Sequence, residues 1–282
     1  MKNLNLAIFG HGFVGAAVDY GFPDDRCNKT IIDPKYGTSI SDLVDQSIDV
    51  TFICVPTPMR YDGCIDASIL ADCVYDALEY TDGLVVIKST VLPDIVEDLT
   101  SEQSRVIYNP EFLTEKHAKL DFVNPPMHVF GGQKEQTLEL EFIYDEYSSC
   151  EKCPVYHMSA TEASFVKYGM NTFLSTKVLF FNQLFDLIGH QGADFETVRN
   201  AISTDPRIGG SHTQVPGHDG RKGFGGSCFV KDSVAMIRYA QSINLPFTVL
   251  EEVARKNQDY RNSYEDALPR ELQMNVKFDY EF

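Results

Sequence analysis

Short runs rich in apolar residues alternate, along the first half of the chain, with stretches whose apolar positions recur every three or four residues. Residues 4–9 (LNLAIF) form the first run, the pattern of a strand buried on both faces of a parallel sheet. The texture returns in 29–34 (KTIIDP), in 49–58 (DVTFICVPTP, closed by prolines), in 83–90 (GLVVIKST), in 104–110 (SRVIYNP) and in 127–132 (MHVFGG). Between two of these, Asp66 to Tyr80 carries apolar residues at 69, 70, 73, 74, 77 and 78, which is helical spacing. Strands alternating with helices predict an α/β fold, a Rossmann-type doubly wound parallel sheet.

The pattern changes after about residue 156. Thr161 to about Gly189 reads as one long helix in which Phe165, Phe173, Phe180, Phe181 and Phe185 recur at helical intervals. Such a stripe serves as core or as a subunit interface. A glycine-rich loop follows from Gly209 to Gly226. Helical spacing resumes from Lys231 to about Tyr260, with a break near Asn244–Pro246, and the residues beyond show no period. The expected division is a sheet domain over 1–156, an all-α central and dimerisation domain over 157–260, and a tail over 261–282.

The length of 282 residues agrees with about two domains. With 24 Lys+Arg against 41 Asp+Glu, the net charge of −17 argues against a non-specific nucleic-acid binder, which needs a basic face. No apolar run reaches the ~18 residues of a membrane span. The opening MKNLNLAIFG has one Lys and no small-residue cleavage site, so no signal peptide is expected. Seven scattered cysteines without an export signal suit a reduced, cytoplasmic chain. Cys150 and Cys153 form a lone CxxC near His157, and one pair cannot complete a tetrahedral zinc site, so no metal is expected.

Gly10, Gly12 and Gly15 form GxGxxG between an apolar run and a helical one. The first glycine allows a tight turn, the second lets the backbone approach a pyrophosphate, and the third lets the helix pack on the sheet. The helix N-terminus offers free N–H groups and a positive dipole. Asp33 ends the second strand, 23 residues after Gly10, near the spacing expected for a ribose-binding acid. It would hold the adenosine ribose and repel a 2′-phosphate, so NAD is favoured over NADP, with Lys35 beside it pulling the other way.

KGFGGSCFVKD (222–232) sets Cys228 after a run of glycines and before Lys231 and Asp232. A helix starting there would favour thiolate and make a nucleophile; a small buried hydrophobe is the competing reading. Lys167 and Asn171 stand one helical turn apart, able to hold an oxyanion or to form a solvated surface pair. NPEFLTE (109–115) follows a strand end, where α/β sheets bind ligands, and offers Glu111 and Glu115 as acid/base groups. KST (88–90) offers the Thr90 hydroxyl in a similar place.

Together GHGFVG, the Asp33 strand end, CVPTP with DGCID, IKSTV, NPEFLTE, KYGMNTFLSTK, DPRIG and GFGGSCFVKD resemble the UDP-glucose/GDP-mannose dehydrogenase family, in family order from residue 4 to about 258. The resemblance implies NAD in the first domain, a homodimer through the long helix, and oxidation of a nucleotide-sugar C6 hydroxyl to a carboxylate in two NAD-dependent steps. It implies that Cys228 forms a thiohemiacetal and then a thioester. Lys167 and Asn171 would steady charge on the C6 oxygen, and Asp232 would assist proton transfer through water. Glu111 would assist thioester hydrolysis. Thr90 would stand at the nicotinamide and water site, with Glu115 nearby. On the cofactor side it adds Phe13 and Val14 of the glycine turn, Lys35, the Val55–Pro56–Thr57 strand end, Ser89 and Lys231. Arg207 would reach the sugar of a neighbouring subunit. Phe112, Leu113, Phe224, Gly225 and Gly226 would cradle the nucleotide sugar.

Three departures accompany the resemblance. The family's third, Rossmann-like domain lies beyond the end of this sequence, so a separate chain is one way to supply it. HDGRK lengthens the loop before Cys228, and Arg221 and Lys222 within it are expected to take over part of the diphosphate contact. Thr114 and Lys116 stand where the family has Arg and Gly. Two other functions compete: a two-electron 3-hydroxyacid-type dehydrogenase, which shares the Lys-x3-Asn pair but leaves Cys228 without a task, and a non-catalytic relative acting as a binding partner.

Overall fold

A computed structural model describes residues 2–101 and 105–282 of the chain; Ser104, the first residue of one predicted strand, lies outside them. The chain divides into two compact units, residues 1–57 with 66–167 and residues 58–65 with 168–282.

In the first unit the chain runs through β1 (Leu4–Phe9), α1 (Phe13–Gly21), β2 (Cys27–Ile32), β3 (Val50–Ile53), α2 (Ser68–Tyr80), β4 (Leu84–Ile87), α3 (Pro93–Ser101), β5 (Val106–Tyr108), α4 (Ala118–Val123), β6 (His128–Gly131), α5 (Lys134–Tyr147) and β7 (Val155–Met158). Among the described residues these strands make one sheet in the order β2-β1-β3-β4-β5-β6-β7. All pairings are parallel except β5 with β6, which meet at Tyr108 and Gly131. The apolar runs are strands because both faces are covered: every residue of β3 and β4 is buried. One face packs Leu6, Ile8, Phe52 and Phe130 against Val18, Phe22, Phe122 and Tyr144. The Phe22 ring lies 5.2 Å from Phe52 and 5.3 Å from Tyr144. Each such buried aromatic contributes about 1.5–3 kcal/mol through area removed from water. The order reverses at β1, which pairs with β2 on one side and β3 on the other, so a crevice opens at the carboxyl ends of β1 and β3.

The sheet extends further than the pattern suggests. β7 runs across the boundary expected at 156, and its mixed sequence, VYHM, gives no unbroken apolar run. The long helix α6 (Ala160–His190) begins in the first unit and continues into the second.

The second unit adds α7 (Phe195–Ser203), α8 (Phe229–Ser242), α9 (Thr248–Arg261) and α10 (Pro269–Gln273). Phe181, Phe195 and Val215 form a small core joined by Phe185, whose ring meets Phe195 edge-on at 5.1 Å. Residues 58–65 belong here: Met59 donates its N–H to Met274 O, and Gly63 approaches Val234 so closely that a Cβ would stand 2.7 Å from its side chain. The aperiodic tail packs as an extension, with Glu271 of α10 buried. Among the described residues no helix is long and apolar enough to cross a membrane, and no group of three or more His, Cys, Asp or Glu could hold a metal ion.

Candidate active site

At the switch point the first unit holds the glycine turn that the sequence reading expects to cradle a dinucleotide. Gly10 turns at φ +82°, and a Cβ there would stand 2.8 Å from Cys54 O; a Cβ on Gly15 would stand 2.0 Å from Gly10 O. Gly12 has open space where a Cβ would sit, and no side chain caps α1 behind it. The turn thus leads into the N-terminus of α1, whose positive dipole end suits an anion. Asp33 Oδ2 accepts the His11 N–H at 2.6 Å and Oδ1 accepts the Lys35 N–H at 2.8 Å. Burial raises the Asp33 carboxyl, but these two amides and the Lys35 charge outweigh it and hold the carboxyl below its ordinary value. Each oxygen keeps a lone pair for a ribose hydroxyl.

The loops after β3 and β4 are tied together beside this cradle. Ser89 Oγ donates to Val55 O at 2.6 Å, and Thr57 Oγ1 donates to Thr90 O at 2.9 Å across Pro56. Glu115 stands in a short 3-10 turn after β5 and is exposed.

Also within the first unit, Glu111 and Lys167 are buried together. Lys167 Nζ donates to Glu111 O at 2.6 Å and to Oε1 at 3.0 Å, and lies 5.7 Å from the centre of the Phe112 ring. Glu111 Oε2 accepts the Leu113 N–H at 2.6 Å, so the carboxylate is gripped at both oxygens. The surface-pair reading of Lys167 does not hold, because its side chain is 5% exposed. Behind this pair, Lys88 Nζ donates to Asn109 Oδ1, which also accepts from Tyr144 Oη, both at 2.8 Å. Burial pushes the Lys88 ammonium down to about 8 and the His128 imidazole down to about 4. Sequence reasoning passed over Lys88, although a lysine closing an apolar strand was a visible signal.

In the second unit Cys228 occupies the N-cap of α8 and is exposed. Its Sγ lies 3.6 Å from Ser227 Oγ. Burial pushes the Cys27, Cys73 and Cys150 thiols up to about 11 and that of Cys54 to about 12, which keeps them protonated at neutral pH. Four residues into the helix, Asp232 is 1% exposed. Asn171 Nδ2 donates to its Oδ2 and Lys231 Nζ to its Oδ1, both at 2.6 Å. Lys231 is thus committed to Asp232. The loop ahead of Cys228 is pinned by Asn257, which accepts from Phe224 N at 2.7 Å and donates to Phe224 O at 2.8 Å.

Three predicted cations have carboxylate partners inside the chain. Arg207 is exposed and forms an ion pair with Asp205 at 2.5 Å. Arg221 bonds Asp266 O at 2.6 Å and stacks on Tyr264, while Lys222 pairs with Asp186 and lies over the Phe185 ring. The insert's two basic residues therefore tie the loop to Asp266 and Asp186.

The sequence matches the NAD binding domain of the UDP-glucose/GDP-mannose dehydrogenase family over residues 35–148 and the central domain of that family over residues 161–259. This chain belongs to that family. NAD is accordingly its cofactor, and the N-terminus of α1, the close-packed glycines and Asp33 fit that group. UDP-glucose 6-dehydrogenase TuaD of Bacillus subtilis is 28% identical over 93% of this chain; the match spans 65% of that relative's length. A UDP-glucose dehydrogenase structure from the archaeon Pyrobaculum islandicum superposes with a TM-score of 0.76 at 28% identity, covering 92% of this chain and 68% of that one. A 3-hydroxyisobutyrate dehydrogenase from Mycobacterium tuberculosis shares the fold, with a TM-score of 0.71 at 15% identity over 94% of this chain and 96% of that one.

Proposed function

We propose that this chain is an NAD-dependent nucleotide-sugar 6-dehydrogenase that converts a C6 hydroxyl to a carboxylate. The observation that carries the reading is the buried cluster in which Asn171 of α6 and Lys231 hold Asp232, on the helix that Cys228 caps. A buried carboxylate held by a cation and an amide is costly to assemble and suits a site that handles charge.

When bound, NAD would supply the hydride acceptor for two successive oxidations. In the first, the C6 hydroxyl gives up a proton towards the Asp232 region and becomes an aldehyde. Lys167 and Asn171 steady the charge on its oxygen. The Cys228 thiolate adds to the aldehyde carbon, and the thiohemiacetal loses the second hydride to become a thioester. Glu111 draws a proton from water, which displaces the thiol and leaves the carboxylate. One sugar and one water are consumed for two reduced cofactors. The chain acts as a homodimer, with α6 as the joining surface. Arg207 serves the partner's sugar site.

Mixing the protein with NAD and UDP-glucose, UDP-N-acetyl sugars or GDP-mannose tests this. Two NADH per sugar are expected, and Cys228→Ser abolishes carboxylate formation. One NADH per substrate supports the 3-hydroxyacid-type alternative. Normal two-NADH turnover by Cys228→Ser overturns the nucleophile assignment. No turnover on any of these favours a binding role.

A further inference from the structure

The tail after α9 is the least regular part of the sequence, yet it contains a deeply buried carboxylate. Glu271 is 1% exposed. Its Oε1 accepts from Arg261 Nη2 at 2.8 Å and from the backbone N–H of Gly226 at 3.1 Å. Its Oε2 accepts the Leu268 N–H at 2.7 Å. Arg261, at the end of α9, also donates to Oδ2 of Asp219, in the HDGRK insert, at 2.7 Å. A Cβ on Gly225 would stand 2.2 Å from Arg261 Nη2 and 2.5 Å from Glu271 Oε1, so the ion pair lies flat against the loop backbone. Gly226 turns at φ +77°, and Cys228 follows two residues later as the cap of α8.

The tail is fastened elsewhere too. Gln258 donates to Tyr280 O at 3.1 Å, Asn262 to Phe278 O at 2.9 Å, and Arg238 to Glu281 O at 3.0 Å. Buried ion networks add little net stability over apolar packing, because each charge loses its water. What this network supplies is geometry: a fixed acceptor for one N–H of the loop that ends at the cysteine.

We infer that Glu271 is a positioning residue for Cys228, holding through the Gly226 N–H the loop that sets the thiol at the start of α8. The C-terminal segment is then part of the active-site scaffold. This rests on the reading of Cys228 as the nucleophile.

The test uses the full chain and does not require the natural substrate. Iodoacetamide labelling at pH 7, read at the Cys228 peptide by mass spectrometry, is compared for wild type, Glu271→Gln and Glu271→Asp. A thiol that drifts from the start of α8 leaves the positive end of the helix, where a thiolate is favoured in general, so Glu271→Gln slows labelling by at least about threefold. Glu271→Asp restores part of the rate, and the NAD dissociation constant stays unchanged in both. Gly225→Ala, which pushes the ion pair off the loop without altering any charge, gives the same slowing and serves if Glu271→Gln does not fold. A wild-type labelling rate in folded, NAD-binding Glu271→Gln or Gly225→Ala overturns the proposal. Slowed labelling in a chain that oxidises no nucleotide sugar supports the positioning role and overturns the reaction reading instead.

Discussion

Lys167 places its ammonium 2.6 Å from the Glu111 carbonyl oxygen and 3.0 Å from Oε1 of the same residue, so one side chain fixes both the backbone and the carboxylate of Glu111. Removing it has two separable effects. Lys167→Ala leaves a buried carboxylate without its cation, which destabilises by about 3–5 kcal/mol. It also lowers the oxidation rate by roughly a hundredfold or more, the scale of losing one oxyanion donor. Thermal unfolding reads the first and NADH formation the second. The double variant Lys167→Met, Glu111→Leu, which removes both charges, recovers much of the stability and none of the activity.

Asp33 carries the second prediction. Its carboxylate grips the His11 and Lys35 amides, so Asp33→Ala removes the proposed ribose partner and loosens the glycine turn. NAD binding weakens, and the preference over NADP falls, as read by calorimetric titration with each cofactor. Asp33→Asn isolates the charge. The folded carboxyl is held below its ordinary value, so its stabilising contribution is complete above that value and is lost as pH falls through the depressed one. The stability gap between wild type and Asp33→Asn is therefore present at pH 7 and closes in acid. A gap that is constant with pH contradicts this.

Most of the first unit is legible in the sequence, because its signals are local. GxGxxG, the Asp33 strand end and the apolar-rich β3 and β4 each lie within one short segment. β7 is not legible, since VYHM has neither an apolar run nor clean alternation, and its place comes from pairing with β6. Residues 58–65 join the second unit through contacts with Met274 and Val234, more than a hundred residues away, which no local pattern encodes. The site divides the same way. Cys228 and the Lys167–Asn171 spacing stand out, whereas the partners that decide their state, Glu111 for Lys167 and Asp232 for Asn171, are brought in by the fold. The intrachain partners of Arg221 and Lys222, Asp266 and Asp186, are likewise supplied by the fold, and Glu271 gives no local signal because Arg261 and Gly226 reach it only in the folded chain.

Lys88 gives a prediction independent of function. Burial holds its ammonium down to about 8, so between pH 8 and the ordinary lysine range the folded chain releases a proton that the unfolded chain keeps. The folded state is therefore penalised at pH 7 and relieved as pH rises through that window. Lys88→Met fills similar volume, and Asn109 Oδ1 keeps its bond from Tyr144. The substitution raises the unfolding temperature at pH 7, and the advantage shrinks to nothing above about pH 10, near the unperturbed lysine value. Comparing variant with wild type at each pH cancels the buried thiols, which titrate in the same region.

The long helix carries the last prediction. Phe173, Phe180 and Leu187 are 66%, 59% and 67% exposed, while Phe181 and Phe185 of the same helix pack into the second unit's core. Positions seven apart drift only about 20° around an α-helix, so these three side chains form a single stripe. The Phe-rich pattern thus serves two surfaces, one packed within the chain and one facing outward. Three large apolar groups in a row are more than an isolated surface helix carries without a partner. A second copy presenting the same stripe across a twofold axis would cover it, since such an interface is self-complementary. Light scattering at micromolar concentration is expected to give twice the chain mass. Phe180→Glu, which puts a charge at the centre of the stripe on both copies, shifts the population to monomer while leaving NAD affinity unchanged. An active wild-type monomer, or a Phe180→Glu variant with an undiminished dimer, would assign the stripe to another purpose.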